Sequence, residues 1–353
     1  MLERTRKFLG FEELTMNQIQ ADVQEVISNL DLISPMRSKT VLVTGATGLI
    51  GSMLVRTFLS ANAKYGLNIK VIGQIRDEEK ARSIYGKLFE EAEFVKNIDV
   101  KCDYIIHTVS PTRSRFFLDH PVETIRVSVE STMEILEVAK TNQATLVYLS
   151  SMEQYGIPYE YGQRMTENDI GIIDHLNVRS SYSESKRLCE CLCASYVAEY
   201  KVDVRIARLA QTFGAGVSLT DNRMPMQFAK GVSESKSIVL HTEGKNVINF
   251  VYLSDAISGI LTILVKGKIG QVYNVCNDSE TRSVKEIADM VASEVAGGKI
   301  TVRIELEENM GYAPDVAMYL DSGKLRKLGW RSKVNMADAY CRLVRYLQEE
   351  KKG

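Results

Sequence analysis

Long hydrophobic runs are missing from this 353-residue chain. No stretch of about 18 apolar residues occurs, which argues against a membrane-spanning helix. The opening segment, MLERTRKFLGFEEL, is broken by charge and lacks the apolar stretch of a secretion signal, so none is expected. An excess of charge is missing too. With 44 Lys and Arg against 45 Asp and Glu, the formal net charge is −1. That balance gives no overall basic field to hold nucleic acid or an anionic membrane, although it leaves local patches open. Cysteine is scarce, six in all. This is no disulfide scaffold, and the usage suits a reducing cytoplasm. Three of the six alternate as Cys189, Cys191 and Cys193. The spacing is not CxxC. On a helix Cys189 and Cys193 share a face and Cys191 points elsewhere, which reads as core thiols rather than a metal site. Repeats and low-complexity segments are absent as well.

What is present is an ordinary globular balance, 45% apolar and 25% charged, in a chain long enough for a large core and two lobes. Residues 1–38 form an arm. In it Ile19, Val23, Val26, Ile27 and Leu30 recur at helical spacing, and DLISPMRSKT follows as a linker. The helix either docks on the main body or meets a partner subunit. From residue 39 strand and helix patterns alternate: TVLVTG, a helix over 49–63, KVIGQI, DYIIHTVS, a helix ending near 141, TLVYLSS, a helix over 183–200, and VDVRIARLA. Such alternation predicts an α/β fold with a parallel sheet covered by helices on both faces. Beyond about 215 the pattern is less regular. SIVLHT and FVYLSD read as strands, SVKEIADMVASEV as a helix, and a last helix closes the chain.

The segment VLVTGATGLIGS carries Gly45, Gly48 and Gly51 between a strand and an apolar helix. The first glycine permits a tight turn, the second lets backbone approach a pyrophosphate, and the third lets helix and strand pack closely. The helix N-terminus then offers N–H groups and positive dipole to phosphates, which predicts a dinucleotide site. The second strand should present the group that reads the adenosine ribose. It ends in GQIRDEEK, where Arg76 precedes Asp77. This leans slightly to NADP over NAD, unless both are solvated loop charges.

Tyr182 and Lys186, in SSYSESKR, lie one helical turn apart on one face. A phenol is a poor base at neutral pH, and a nearby ammonium stabilises its ionised form. The same Lys can reach the nicotinamide ribose. Alone the spacing is common. After a glycine cradle, and with the hydroxyls of LSSMEQYG about thirty residues upstream, it gains weight.

With these residues together, the chain resembles an extended short-chain dehydrogenase/reductase of the NAD(P)-dependent sugar epimerase/dehydratase group. The resemblance covers about 40–346. IIHTVSPTRSRFFLDHPVETI, RSSYSESKR, RLAQTFGAG and LDSGKLRKLGW are similar to segments of UDP-glucuronate decarboxylases. It implies a Rossmann-type doubly wound parallel sheet over 39–215, with a return segment near 250–275. A smaller mixed lobe for a nucleotide sugar would use 216–249 and 276–353. It further implies a homodimer built on the helices around 122–141 and 183–200. By the same resemblance Thr47, Leu49, Ile50, Thr108 and Ser110 join Gly45, Gly48, Gly51, Arg76, Tyr182 and Lys186 at the cofactor. Pro111, Arg179, Gln211 and Arg223 would face substrate. Ser151 would bridge the sugar hydroxyl and Tyr182, and Tyr182 would act as base while the sugar's 4-hydroxyl is oxidised. The resulting ketone acidifies the neighbouring C–H and opens the way to loss of water, loss of carbon dioxide, or inversion.

In the resemblance Met152 stands where one dehydratase type has an Asp, and Glu153 remains as a carboxylate within reach of a keto-sugar. Two cations expected at the nucleotide diphosphate are replaced by Ile248 and Ala313, and charge-assisted bonds to phosphate are strong contacts to lose. Arg223 and Lys245 are the substitutes at hand. Ser128 stands in for an Asn near the cofactor, and Gln211 for one near substrate. The reading is a cytoplasmic nucleotide-sugar lyase or isomerase without metal, of use in polysaccharide supply by analogy alone. A keto-sugar reductase consuming NADPH is the enzymatic alternative. A cofactor-binding regulatory protein with a vestigial site is the other.

Overall fold

The computed structural model describes residues 16–111, 114–306 and 317–352. Its helices are α1 (Gln18–Ile27), α2 (Leu49–Tyr65), α3 (Glu78–Tyr85), α4 (Ser114–Asp119), α5 (Pro121–Asn142) and α6 (Ser181–Tyr200). They continue as α7 (Met224–Ser233), α8 (Leu253–Lys266), α9 (Val284–Met290), α10 (Gly323–Arg326) and α11 (Met336–Glu350). The strands are β1 (Thr40–Thr44), β2 (Lys70–Gln74), β3 (Glu93–Val95), β4 (Tyr104–His107), β5 (Thr145–Ser151), β6 (Arg164–Met165), β7 (Val204–Leu209) and β8 (Gln211–Phe213). After them come β9 (Ile238–Leu240), β10 (Val247–Ile248), β11 (Phe250–Tyr252), β12 (Val272–Val275), β13 (Arg282–Ser283), β14 (Val302–Ile304) and β15 (Tyr319–Leu320).

Seven strands form one sheet in the order β12-β7-β5-β4-β1-β2-β3, all parallel. The strands are apolar and buried because helices cover both faces. One face packs Val41, Val43, Val147 and Leu149 against α2 and α8; the other packs Leu42, Ile105, Leu146 and Tyr148 against α5 and α6. The order reverses between β1 and β4, and a ligand crevice opens at the carboxyl ends of the strands beside such a reversal. The cradle after β1 and the Ser151 turn after β5 both lie at those ends.

A second core gathers Phe213, Phe228, Phe250, Ile287, Tyr340 and Leu343 from β8, α7, β11, α9 and α11. Four two-stranded ribbons accompany it: β8 with β11, β9 with β14, β10 with β13, and β6 with β15. FVYLSD is strand through Tyr252 only; its Leu253, Ser254 and Asp255 open α8. The helix read in SVKEIADMVASEV is α9, which widens into a π-turn over Val291–Val295.

The arm helix is α1, with Asn17 and Gln20 forming a capping box. DLISPMRSKT is more than a linker. It makes two 3-10 turns and buries Leu32, Ile33 and Met36 in the main core, so its apolar residues anchor it. Asp22, fully buried in α1, accepts from Tyr252 Oη at 2.7 Å and from Arg342 Nη1 at 3.1 Å. Gln18 N donates to Glu349 Oε2 at 2.9 Å. The arm is therefore bonded to both β11 and α11. Among the described residues no helix is long and apolar enough to cross a membrane.

Candidate active site

The cradle turns after β1. Gly45 has φ +65°, a conformation that favours glycine, and a Cβ there would lie 2.8 Å from Thr108 Oγ1. A Cβ on Gly51 would lie 2.3 Å from the Gly45 carbonyl oxygen, so α2 crosses the turn with no room for a side chain. Gly48 caps α2 with backbone alone, without a side-chain cap on the first-turn N–H groups among the described residues. That leaves a helix N-terminus suited to an anion. Leu49 and Ile50 begin α2, and Thr47 sits in the turn. The turn is held from below. Gln74 O accepts from Ala46 N at 3.0 Å, and Tyr85 Oη donates to Ala46 O at 2.5 Å. The sequence reading missed both supports, since neither belongs to the glycine pattern.

Arg76 is exposed after β2. Asp77 is occupied as the N-cap of α3, accepting from Lys80 N at 3.0 Å. Thr108 is engaged as well: its hydroxyl donates to the Thr44 carbonyl at 2.6 Å, bracing the cradle from β4. Ser128 is buried in α5 and donates to Thr124 O at 2.8 Å. At position 111 only an apolar ring and a carbonyl could meet a substrate. Pro111 has no hydroxyl or N–H, and its carbonyl accepts from Ser110 Oγ at 3.2 Å.

Tyr182 and Lys186 stand on the buried face of α6, one turn apart. Lys186 Nζ donates to Leu149 O at 2.8 Å and lies 5.7 Å from the Tyr182 ring centre and 5.0 Å from that of Tyr148. Burial pulls its ammonium down to about 8. The hydroxyls of Ser151 and Ser110 lie near enough to the Tyr182 phenol to favour its ionised form. Burial, then the charge of Glu153, raises that phenol above its ordinary value, while the two serines and the charge of Arg223 oppose the rise. Nearby His107 is buried against Thr44 Oγ1 at 2.8 Å, and burial with the Lys186 charge drives it down to about 3. It is a neutral support, not a proton carrier.

Ser151 ends β5 and caps the following 3-10 turn, accepting from Glu153 N at 3.2 Å. The Glu153 carboxylate is paired with Arg179 Nη1 at 3.2 Å. Beneath this turn lies a buried network. Arg208 pairs with Glu190 at 2.7 Å and donates to Tyr155 Oη at 2.9 Å, while Tyr155 Oη donates to Asn274 Oδ1 at 2.8 Å. Ser150 Oγ donates to Glu190 at 2.5 Å. These residues tie β5, β7, β12 and α6 together under Ser151 and Glu153, and a buried pair so bonded sets one geometry. Their separation in the chain hides the network from any local reading.

On the second lobe Arg223 is paired with Asp221 at 2.8 Å, and it shares a cleft wall with Gln211, Thr212 and Pro225. Lys245 pairs with Glu243. Ile248 falls on β10, and position 313 lies outside the described residues. Cys189 and Cys193 are fully buried and Cys191 is exposed, as their helical spacing predicts. Among the described residues no group of His, Cys, Asp and Glu could hold a metal ion.

A family model described as NAD dependent epimerase/dehydratase family matches residues 41–276. The chain belongs to that family. Relatives of this epimerase/dehydratase family member include UDP-glucuronic acid decarboxylase 1 of Xenopus tropicalis, 24% identical over 96% of this chain and 82% of its own length. UDP-glucuronic acid decarboxylase 6 of Arabidopsis thaliana is 29% identical over 84% of this chain and 85% of its own. Among solved structures, UDP-glucuronic acid 4-epimerase from Bacillus cereus, in complex with UDP-glucuronic acid and NAD, superposes with a TM-score of 0.72 at 20% identity. That match covers 88% of this chain and 99% of the epimerase, and at such identity it speaks for the fold.

Proposed function

We propose that this family member converts a nucleotide sugar through a transient 4-keto intermediate, with loss of carbon dioxide from a uronic acid as the favoured outcome. The observation that carries the reading is Tyr182 and Lys186 side by side on the buried face of α6, with the Ser151 and Ser110 hydroxyls acting on the phenol, at the strand ends that also bear the cradle. The curated relatives named as UDP-glucuronic acid decarboxylases support the substrate class.

The cradle residues fit a dinucleotide: Gly45 and Gly51 leave no space a side chain could fill, and the α2 N-terminus is open to phosphate. When bound, NAD would supply a hydride acceptor and a positively charged ring. NAD is the proposed cofactor, since it is the form in the Bacillus cereus structure and nothing supports the lean to NADP from Arg76. Ser151 would orient the sugar hydroxyl, and Tyr182 would take its proton. Lys186 would favour the ionised phenol by its charge. Glu153 would act on the keto-sugar as a base or an orienting carboxylate.

A homodimer is proposed through α5 and α6, which pack together and leave Val122, Ile125, Met133 and Leu188 exposed. Light scattering should give twice the chain mass; a monomer would remove the proposal. A reducing cytoplasm fits the six free cysteines.

The test is product mass after incubation with UDP-, GDP-, CDP- and dTDP-sugars and added NAD or NADP. Loss of carbon dioxide from UDP-glucuronic acid is expected. An unchanged mass with a new chromatographic peak would make it an epimerase. Stoichiometric NADPH consumption with a keto-sugar would make it a reductase. Inertness towards the whole panel would favour a cofactor-binding regulatory protein.

A further inference from the structure

A chain of contacts runs from the proposed base through Phe117, Arg179 and Glu153 to Ser151. Phe117, buried on α4, lies parallel to the Tyr182 ring at 4.4 Å with a 6° tilt. The Arg179 guanidinium sits 5.7 Å from the Phe117 ring centre, within cation–π range. Arg179 then reaches Glu153 at 3.2 Å, and Glu153 N donates to Ser151 Oγ at 3.2 Å, on the turn whose carboxylate charge bears on the Tyr182 phenol. The segment carrying Arg179 is itself held. Asn177 Oδ1 accepts from Arg179 N at 3.0 Å, and Ser180 Oγ donates to Asp174 O at 2.6 Å.

Arg179 was expected to face substrate. Its charge is already matched by Glu153, so it brings no surplus cation to an anionic ligand. We propose that Arg179 is a positioning residue: seated against Phe117, it fixes the Glu153 carboxylate beside Tyr182 and neutralises its charge there. This rests on reading Tyr182 as the base. Among the described residues, the other ionisable groups facing Tyr182 are Lys186 on its own helix, Arg223 ahead of α7, and Tyr148 on β5. Arg223 is paired with Asp221. Among the described residues Arg179 is thus the group that directly offsets the Glu153 charge. Without it, Tyr182 would hold its proton more tightly, because an uncompensated anion nearby disfavours a phenolate.

The experiment uses the full chain loaded with NAD. The Tyr182 phenolate is titrated by ultraviolet difference against Tyr182→Phe, and kcat and KM are followed across pH. In Arg179→Met the titration should move up by about one pH unit. kcat should fall about tenfold, with KM little changed. Arg179→Lys should recover part of both effects. Phe117→Leu, which removes the seat and keeps an apolar side chain, should move the titration the same way by less. A rise in KM with titration and kcat unmoved would show Arg179 holding substrate directly and would overturn the proposal, as would no change in any readout. The titration needs no substrate. An inert wild type with a shifted titration in Arg179→Met would therefore count against the catalytic reading and for the positioning role.

Discussion

Tyr182 is almost fully buried, and its neighbours act on its proton in opposite directions. Burial and the Glu153 charge hold the proton on; the serines and Arg223 favour its release. In its proposed role as base, the phenol gives up its proton only where further positive charge is supplied. Tyr182→Phe removes the proposed proton acceptor and keeps the ring that stacks on Phe117. Turnover should fall by about 10²- to 10⁴-fold with an unchanged melting temperature, read by product formation and thermal unfolding. The Tyr-x-x-x-Lys spacing and the hydroxyl pair upstream were legible because each is local. Phe117 was not, since nothing in FFLDHPVE tells which aromatic will face a helix some sixty positions away in the chain.

At the scale of elements, the β1 turn and α2 act together. The glycine pattern was readable because its constraint is steric and confined to seven residues. Gly51→Ala puts a Cβ 2.3 Å from the Gly45 carbonyl, so the turn or the helix must shift. A loss of about 1–3 kcal/mol is expected, with weaker protection by NAD, both seen in thermal shift with and without cofactor. Full NAD protection in this variant would mean that the cradle is not the cofactor site. What holds the turn, Gln74 and Tyr85, comes from later elements and carries no spacing signal. Asp77 teaches the reverse lesson. Beside a cofactor strand it looks like a ligand group, yet DEEK is also a helix start, and the cap is where its side chain is used.

At the scale of the molecule, the arm joins parts distant in sequence. Arg342 on α11 bonds Asp22 at 3.1 Å and Glu25 at 2.5 Å on α1, and Asp22 also accepts from Tyr252. Burial raises the Asp22 carboxyl above its ordinary value, and the bonds from Tyr252, Gln18 and Arg342 oppose that rise. Arg342→Met would strand Asp22 when ionised. About 3 kcal/mol of stability should be lost at neutral pH, allowing for the partial exposure of Arg342. The sign with pH follows. A carboxyl raised in the folded state binds its proton more tightly there, so the penalty is full above its folded value and fades as pH falls through it. The gap between variant and wild type in urea unfolding should therefore narrow in acid. A gap constant with pH would mean that Asp22 is not the stranded charge.

The sequence alone determined the parallel α/β order, the cradle and the Tyr–Lys register, because these depend on periodicity and on spacings shorter than a helical turn or two. Tertiary structure decided the rest. Whether Glu153 meets Arg179 and where the arm lies depend on side chains brought together across tens to hundreds of residues. A charge in a sequence carries no record of its partner. It is the packing of strands and helices around a shared core that selects which opposite charges come within a hydrogen bond and how much water they keep.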